Sequence, residues 1–394
     1  MNPADFVDDA PGELVLTETA QGETQAYVPD PLPPEFERGA LLNDLADAVQ
    51  ALGRLSGIGP RVGSDRVLIE PFLRKEAVES SQIEGTKATL SDIYALEAGE
   101  TTLIEERSRD DAREVANYLD ALEYGLSAID AGEQITVELL CEMHDRLMSG
   151  VRGEHARPGE IRDSQNWIGP ADVRHARFVP PPPEDARECL EHLVAHVNTS
   201  YTTHSLLRIG MIHYQFETIH PFLDGNGRLG RLLVTLLILK EDLLPEPYLY
   251  LSSYLNARKR AYVDRMLDVS QQGAWVPWLK FFLEGVRDQA DEAHMRADLL
   301  VDLREQYRER YVDERSSNLQ RLVMNLFERP YLDAQDVEAW LDVSPDTAHR
   351  LVNRLEDDGI LEELTGKQRN QFYRAREVFE IIDLPIGTLI ARAN

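Results

Sequence analysis

His220-Pro221-Phe222-Leu223-Asp224-Gly225-Asn226-Gly227-Arg228-Leu229-Gly230-Arg231 joins two helical patterns, and the reading of that junction decides the fold. Upstream, Leu206, Leu207, Ile209, Met211, Ile212, Phe216 and Ile219 recur at helical spacing and give one apolar face. Downstream, Leu229, Leu232, Leu233, Val234, Leu236, Leu237 and Ile238 leave almost no polar face, which predicts a buried helix. Pro221 stops the first helix and Gly225-Asn226-Gly227 opens the second. A helix N-terminus offers unpaired N–H groups and the positive end of a dipole, so the junction suits a phosphate. Glycines let the backbone approach without a Cβ in the way. Arg228 and Arg231 lie three apart, share a helix face and are spaced to clamp a polyphosphate. Asp224 is a hard oxygen ligand of the kind Mg²⁺ accepts beside phosphate, and His220 can take a proton near neutral pH.

Two other phosphate motifs fail on context. Gly225 to Gly230 fits G-x-G-x-x-G, but that fingerprint needs a preceding strand and the pattern here is helical. No Gly-x-x-x-x-Gly-Lys-Ser/Thr lies in the segment, so it is not a P-loop.

The twelve residues resemble the signature of the Fic (Fic/DOC) family, H-P-F-x-D/E-G-N-G-R-x-x-R, at every specified position. The resemblance implies a mainly α fold: an all-helical core with this loop between two central helices and a short β-hairpin flap beside it. It also implies transfer of AMP from ATP to a protein Ser, Thr or Tyr hydroxyl, with pyrophosphate released. By position, His220 would deprotonate the acceptor and Asp224 would hold Mg²⁺ against the α- and β-phosphates. Gly225, Asn226 and Gly227 would cradle phosphate oxygens, and Arg228 and Arg231 would neutralise the β- and γ-phosphates. Leu229 and Gly230 complete the nucleotide-binding segment.

Ser80-Ser81-Gln82-Ile83-Glu84-Gly85 resembles the family's inhibitory motif, S/T-x-x-x-E-G/N. It ends a helical pattern through Leu68, Ile69, Phe72, Leu73 and Ala77, with Gly85 as the terminating residue. The resemblance implies that Ser80, Glu84 and Gly85 restrain the site in cis. Glu84 would pair with Arg231 in a bidentate bridge and deny the γ-phosphate its arginine. In some relatives such a glutamate also supports removal of AMP, and that alternative stays open here.

Asn166-Trp167-Ile168-Gly169 and Arg177-Phe178-Val179-Pro180 flank a turn and read as a hairpin, placed where the family has its flap. Tyr248, Tyr250, Leu251, Ser252, Tyr254 and Tyr262 resemble the stretch that closes the adenine pocket. The resemblance implies Arg258 and Tyr262 as base contacts, and because Arg258 falls where some relatives carry a smaller amide, another nucleotide donor stays open.

The chain has 394 residues, a formal charge of −29 and a sequence pI near 4.7, so bulk attraction to nucleic acid or acidic membranes is not expected. Only six of its 41 basic residues are lysine, which points to a high-salt cytoplasm, with a GC-rich genome as the alternative. Cys141 and Cys189 form no C-x-x-C, and Asp5, Asp8 and Asp9 replace the basic start of a signal peptide. The Leu-rich helix is cut by Lys240, Glu241 and Asp242, so no membrane span and a cytoplasmic location are expected.

Five segments follow. Residues 1–38 read as an irregular, acidic, Pro-rich arm, 39–130 as a helical region with the inhibitory helix, and 131–285 as the catalytic domain. Residues 286–315 read as a charged connecting helix. Residues 316–394 resemble a winged helix-turn-helix, set apart as a separate module. Its third helix would display Thr347, His349, Arg350, Asn353 and Arg354, and its wing Lys367, Arg369 and Arg374. DNA, a protein target that includes the chain itself, and a second copy of the chain stay open as partners. A nucleotide-responsive DNA-binding regulator is the alternative from another class.

Overall fold

The computed structural model describes residues 1–58, 69–151, 157–200, 202–312, 317–367 and 369–393. Leu68 and Gln368, which fall in two expected elements, lie outside the described residues. The chain begins with a hairpin of β1 (Gly12–Thr19) and β2 (Gly22–Pro29). Helices α1 (Leu42–Ser56), α2 (Ile69–Ile83), α3 (Leu90–Glu97), α4 (Arg109–Asp130) and α5 (Val137–Met148) follow. Next come α6 (Pro183–Val197), α7 (Ser205–Ile219), α8 (Asn226–Lys240), α9 (Ser252–Ala257), α10 (Lys259–Gln272) and α11 (Trp275–Arg310). The C-terminal part runs α12 (Ser317–Asn325), β3 (Tyr331–Leu332), α13 (Ala334–Leu341), α14 (Pro345–Asp357), β4 (Leu361–Glu363), β5 (Tyr373–Ala375), α15 (Arg376–Asp383) and α16 (Ile386–Ala393). The fold is mainly α. No helix among the described residues is long and apolar enough to cross a membrane.

α7 and α8 pack against each other at the centre, with twelve of the fifteen α8 residues buried. The junction between them forms for local reasons. His220 adopts the left-handed conformation (φ 49°), its N–H reaching Phe216 O, so α7 ends there, and the following proline bars its continuation. Gly225 (φ 78°) then turns the chain into α8. Elsewhere, Thr89 and Asp92 form a capping box on α3, and Asp333 and Asp336 do the same on α13.

Two expectations are corrected. The N-terminal arm is not irregular: residues 12–29 pair in register from Gly12↔Pro29 to Thr19↔Gly22. Its Leu14/Leu16 and Ala26/Val28 alternation suits a hairpin, but the turn at Ala20-Gln21 lacks the Asn-Gly or Asp-Gly signature. The boundary at 286 falls inside α11, one helix of 36 residues and about 54 Å. Charge density rises there, while Val286, Ala290, Ala293, Ala297 and Leu300 carry the buried stripe onward.

The C-terminal part, expected as a separate module, is docked on the helical core. β5 lies between β3 and β4 in a three-stranded sheet. The side chain of Arg296 on α11 is buried and donates to the carbonyls of Ile381, Ile382 and Leu384. Tyr94 stacks on Tyr331 with ring centroids 5.1 Å apart, and Lys367 pairs with Glu100 at 3.0 Å. A shared apolar cluster runs through both parts, so their contact is built like a core.

Candidate active site

The loop from His220 to Gly225 is held by side chains that arrive from far along the chain. Arg162, buried, donates through Nε to His220 O at 2.9 Å and through Nη2 to Pro181 O at 2.5 Å. Its own N–H reaches Pro221 O at 2.9 Å. Burial lowers its pKa to about 10, which still leaves it charged at neutral pH. Asn226 accepts from Phe222 N at 2.9 Å and donates to Phe222 O at 2.8 Å; Asn166 donates to the same carbonyl. The Asn226 side chain is therefore spent on the loop, and only backbone is left there to face a phosphate. The N–H of Gly159 donates to His144 Nδ1, so His144 carries its proton on Nε2 and gives it to Asp224 O at 2.9 Å. The His144 ring stacks on Phe222 at 3.9 Å. A Cβ on Gly225 would meet Met148 Sδ at 2.7 Å, so glycine is needed there for space as well as for φ.

His220 carries a neutral ring. Its Nδ1 faces Glu217 O at 3.2 Å, and a carbonyl only accepts, so Nδ1 carries the hydrogen and Nε2 the lone pair. Burial, then the nearby Arg162 charge, lowers its pKa to about 4 despite the Glu217 bond. Asp224 is exposed, with one oxygen accepting Gly225 N–H at 2.7 Å.

Glu84 and Arg231 meet, but through one oxygen. Arg231 Nη2 reaches Glu84 Oε1 at 2.7 Å, while Nε and Nη2 also bond Ser80 Oγ (2.8 Å) and Ser80 O (3.0 Å). Ser80 takes Nε and shares Nη2, and the contact with Glu84 is a single hydrogen bond in place of the expected bidentate bridge. Burial pushes the Glu84 carboxyl up, but Arg231, Arg228 and Lys259 outweigh it and hold the group below its usual value. The carboxylate also lies across the helix mouth, since a Cβ on Gly227 would sit 2.3 Å from Glu84 Oε1. Gly85, at φ 101°, turns the chain away from α2.

Other expected contacts fall elsewhere. Arg228 points into the core, bonded to Glu114 Oε2 and Met148 Sδ, both at 3.3 Å, so the two arginines do not form one clamp here. Leu229 is fully buried core, and Gly230 permits close helix approach, a Cβ there lying 2.4 Å from Glu217 Oε1. Tyr262 is buried and bonds His213 Nε2 at 2.7 Å. Arg258 is exposed and lies over the Tyr254 ring at 4.0 Å. Its neighbourhood is tied to α2: Asn256 bonds Glu79, and Lys259 caps the Ile83 carbonyl. Of the C-terminal cations, Arg354 pairs with Asp358, Lys367 with Glu100 and Arg374 with Glu362.

The flap is a single antiparallel bridge, Ile168↔Phe178, with a helical turn at Val173–His175. Between it and α10 lies a cavity of about 60 Å³ lined by Ile168, Phe178, Thr218, Val263, Met266 and Leu267. Glu217 also faces it. Burial raises this carboxyl to about 7, against the pull of Arg231, and its Oε1 is buried with no hydrogen-bond partner among the described residues. The sequence reading missed Arg162, His144, Glu114, Glu217 and these apolar walls.

Residues 42–127 match the family described as Fic/DOC family N-terminal, and residues 134–238 that described as Fic/DOC family. The chain carries Fic/DOC family domains over these residues. A protein of Drosophila willistoni named protein adenylyltransferase Fic is 25% identical over 205 residues, 51% of this chain and 38% of that protein. Protein adenylyltransferase fic-1 of Caenorhabditis elegans is 30% identical over 151 residues, 38% of this chain and 27% of that protein. The chain thus spans less than two fifths of the curated relatives it matches. The crystal structure of a Fic family protein from Desulfovibrio desulfuricans G20 shares the fold, with a TM-score of 0.56 and 23% identity. That match covers 87% of this Fic chain and 98% of the other.

Arg162 yields an early test. Replacing it by alanine strands the carbonyls of His220 and Pro181, at a cost of about 2–4 kcal/mol. Lysine lacks the planar fork and should restore little. A melting curve of both variants measures this, and an unchanged Tm would remove Arg162 from the loop's support.

Proposed function

We propose that this Fic protein transfers AMP from ATP to a protein hydroxyl and that its own Glu84 restrains the reaction. The observation that supports this most is the seat of the Glu84 carboxylate, on Arg231 and across Gly227 at the N-terminus of α8. An anion already occupies the place where the helix end and the arginine would receive phosphate.

His220 accepts the acceptor hydroxyl's proton on Nε2 as that oxygen attacks the α-phosphorus. The new O–P bond forms while the bond from the α-phosphorus to the bridging oxygen breaks, and pyrophosphate leaves. The α8 N–H groups take phosphate charge, joined by Arg231 once Glu84 withdraws. The family implies Mg²⁺, and Asp224 fits it: an exposed carboxylate at the rim of a glycine cradle suits an ion held largely by phosphate and water. When bound, Mg²⁺ neutralises phosphate charge, and Asp224 would hold it. The apolar cavity between the flap and α10 is proposed for the base, in place of Arg258 and Tyr262.

The test is incubation with Mg²⁺ and ATP labelled at either the α- or the γ-phosphate. Label on protein from the α position alone is expected; label from the γ position would replace the reading with phosphotransfer. The pH profile gives a second check. His220, with its pKa near 4, is already the free base above about pH 5, so its contribution to the rate is flat through neutrality. Below about pH 4 the rate should fall about tenfold per unit. A limb near pH 6.5 in single-turnover labelling would contradict the half-buried, neutral histidine.

A further inference from the structure

The cavity over Glu217 and Thr218 of α7 has two walls that belong to separate parts of the chain, the flap and α10. Residues 1–30 bond to both. Toward α10, Val7 N–H donates to Gln271 O at 2.9 Å and Gln272 Nε2 to Asp5 O at 2.8 Å. Toward the flap, Thr17 Oγ1 donates to Gln165 Oε1 at 3.0 Å, and Gln21 bonds Ala171 O and Val173 N, each at 2.9 Å. Tyr27 N–H reaches Val179 O at 2.9 Å. The Tyr27 ring packs between Phe6 and Phe178, with centroids 5.4 and 5.8 Å away, and Phe178 is itself a cavity wall. Gln215 on α7 ties down the exit of the hairpin through Asp30 O at 2.9 Å. Among the described residues the flap pairs with itself through one bridge and reaches α10 directly through the exposed Arg177–Asp264 ion pair, a thin support that residues 1–30 reinforce.

We propose that residues 1–30 are a clasp that positions the flap against α10 and thereby sets how tightly the cavity holds the base of a nucleotide. Only the identity of that ligand rests on the adenylylation reading. Thr17 and Gln21 are positioning residues, since they act through the flap.

The test uses the full chain carrying Glu84→Gly, with and without Thr17→Ala and Gln21→Ala together. Amide exchange at Ile168, Val173, Arg177 and Phe178 should accelerate roughly tenfold to a hundredfold, with α7 and α8 unchanged. The Kd for Mg-ATP by calorimetry should weaken severalfold, and Thr17→Ser with native Gln21 should stay near the parent. Unchanged flap exchange overturns the clasp, and so does faster flap exchange with unchanged ATP affinity. If the parent binds no ATP, the adenylylation reading falls, and flap exchange alone then decides the clasp.

Discussion

Glu84→Gly should raise labelling of protein from α-labelled ATP by roughly tenfold to 150-fold, the equivalent of about 1.5–3 kcal/mol for a charge-assisted hydrogen bond. Two effects act together. The substitution frees Arg231 Nη2 and clears a carboxylate from the mouth of α8. The Glu84 side chain is 39% exposed, which moves the expectation toward the lower end of the range. Stability should change little, because Arg231 keeps both bonds to Ser80 and the lost pair is partly solvated. A rise in label with an unchanged Tm is therefore the expected pattern. If label does not rise while Mg-ATP still binds, Glu84 is not the restraint.

Removing the base in that released background should cost far more. His220→Ala on Glu84→Gly takes away general-base catalysis, worth about 10²- to 10⁴-fold. Alanine at φ 49° also strains the loop, so His220→Asn is the better variant, because asparagine tolerates the left-handed region. Both should lose label while keeping Mg-ATP affinity, since the proposed phosphate contacts come from α8 and Arg231. Label that survives in both variants would take His220 out of the proton transfer and leave the signature without its base.

The junction around His220 was legible because its signals are local. Apolar periodicity predicts α7 and α8, and proline and glycine mark the turn within a few residues. The same holds for α14: Ser344-Pro345 marks its start, although the Ser344 side chain bonds Thr347 instead of capping the helix. The hairpin at 12–29 was missed because its two-residue turn, Ala20-Gln21, lacks the Asn-Gly or Asp-Gly signature and its acidic, proline-rich flanks dominate the composition. The boundary at 286 was misplaced because charge changes along α11 where backbone conformation does not. Arg162 and His144 left no mark at all. A buried arginine or histidine that bonds carbonyls 58 or 80 residues away has no periodicity to show.

By itself the sequence determined which helices form, where the anion-binding turn lies and which residue types line it, since capping, periodicity and glycine conformations act between near neighbours. Tertiary structure decided what those residues face. Arg231 is held by Ser80 and Glu84 across about 150 positions, and Arg228 is drawn into the core by Glu114 from 114 positions away. Both arginines are identical in kind and three residues apart. Their different fates follow from which helix packs beside each, because a buried charge takes the partner that packing brings within reach.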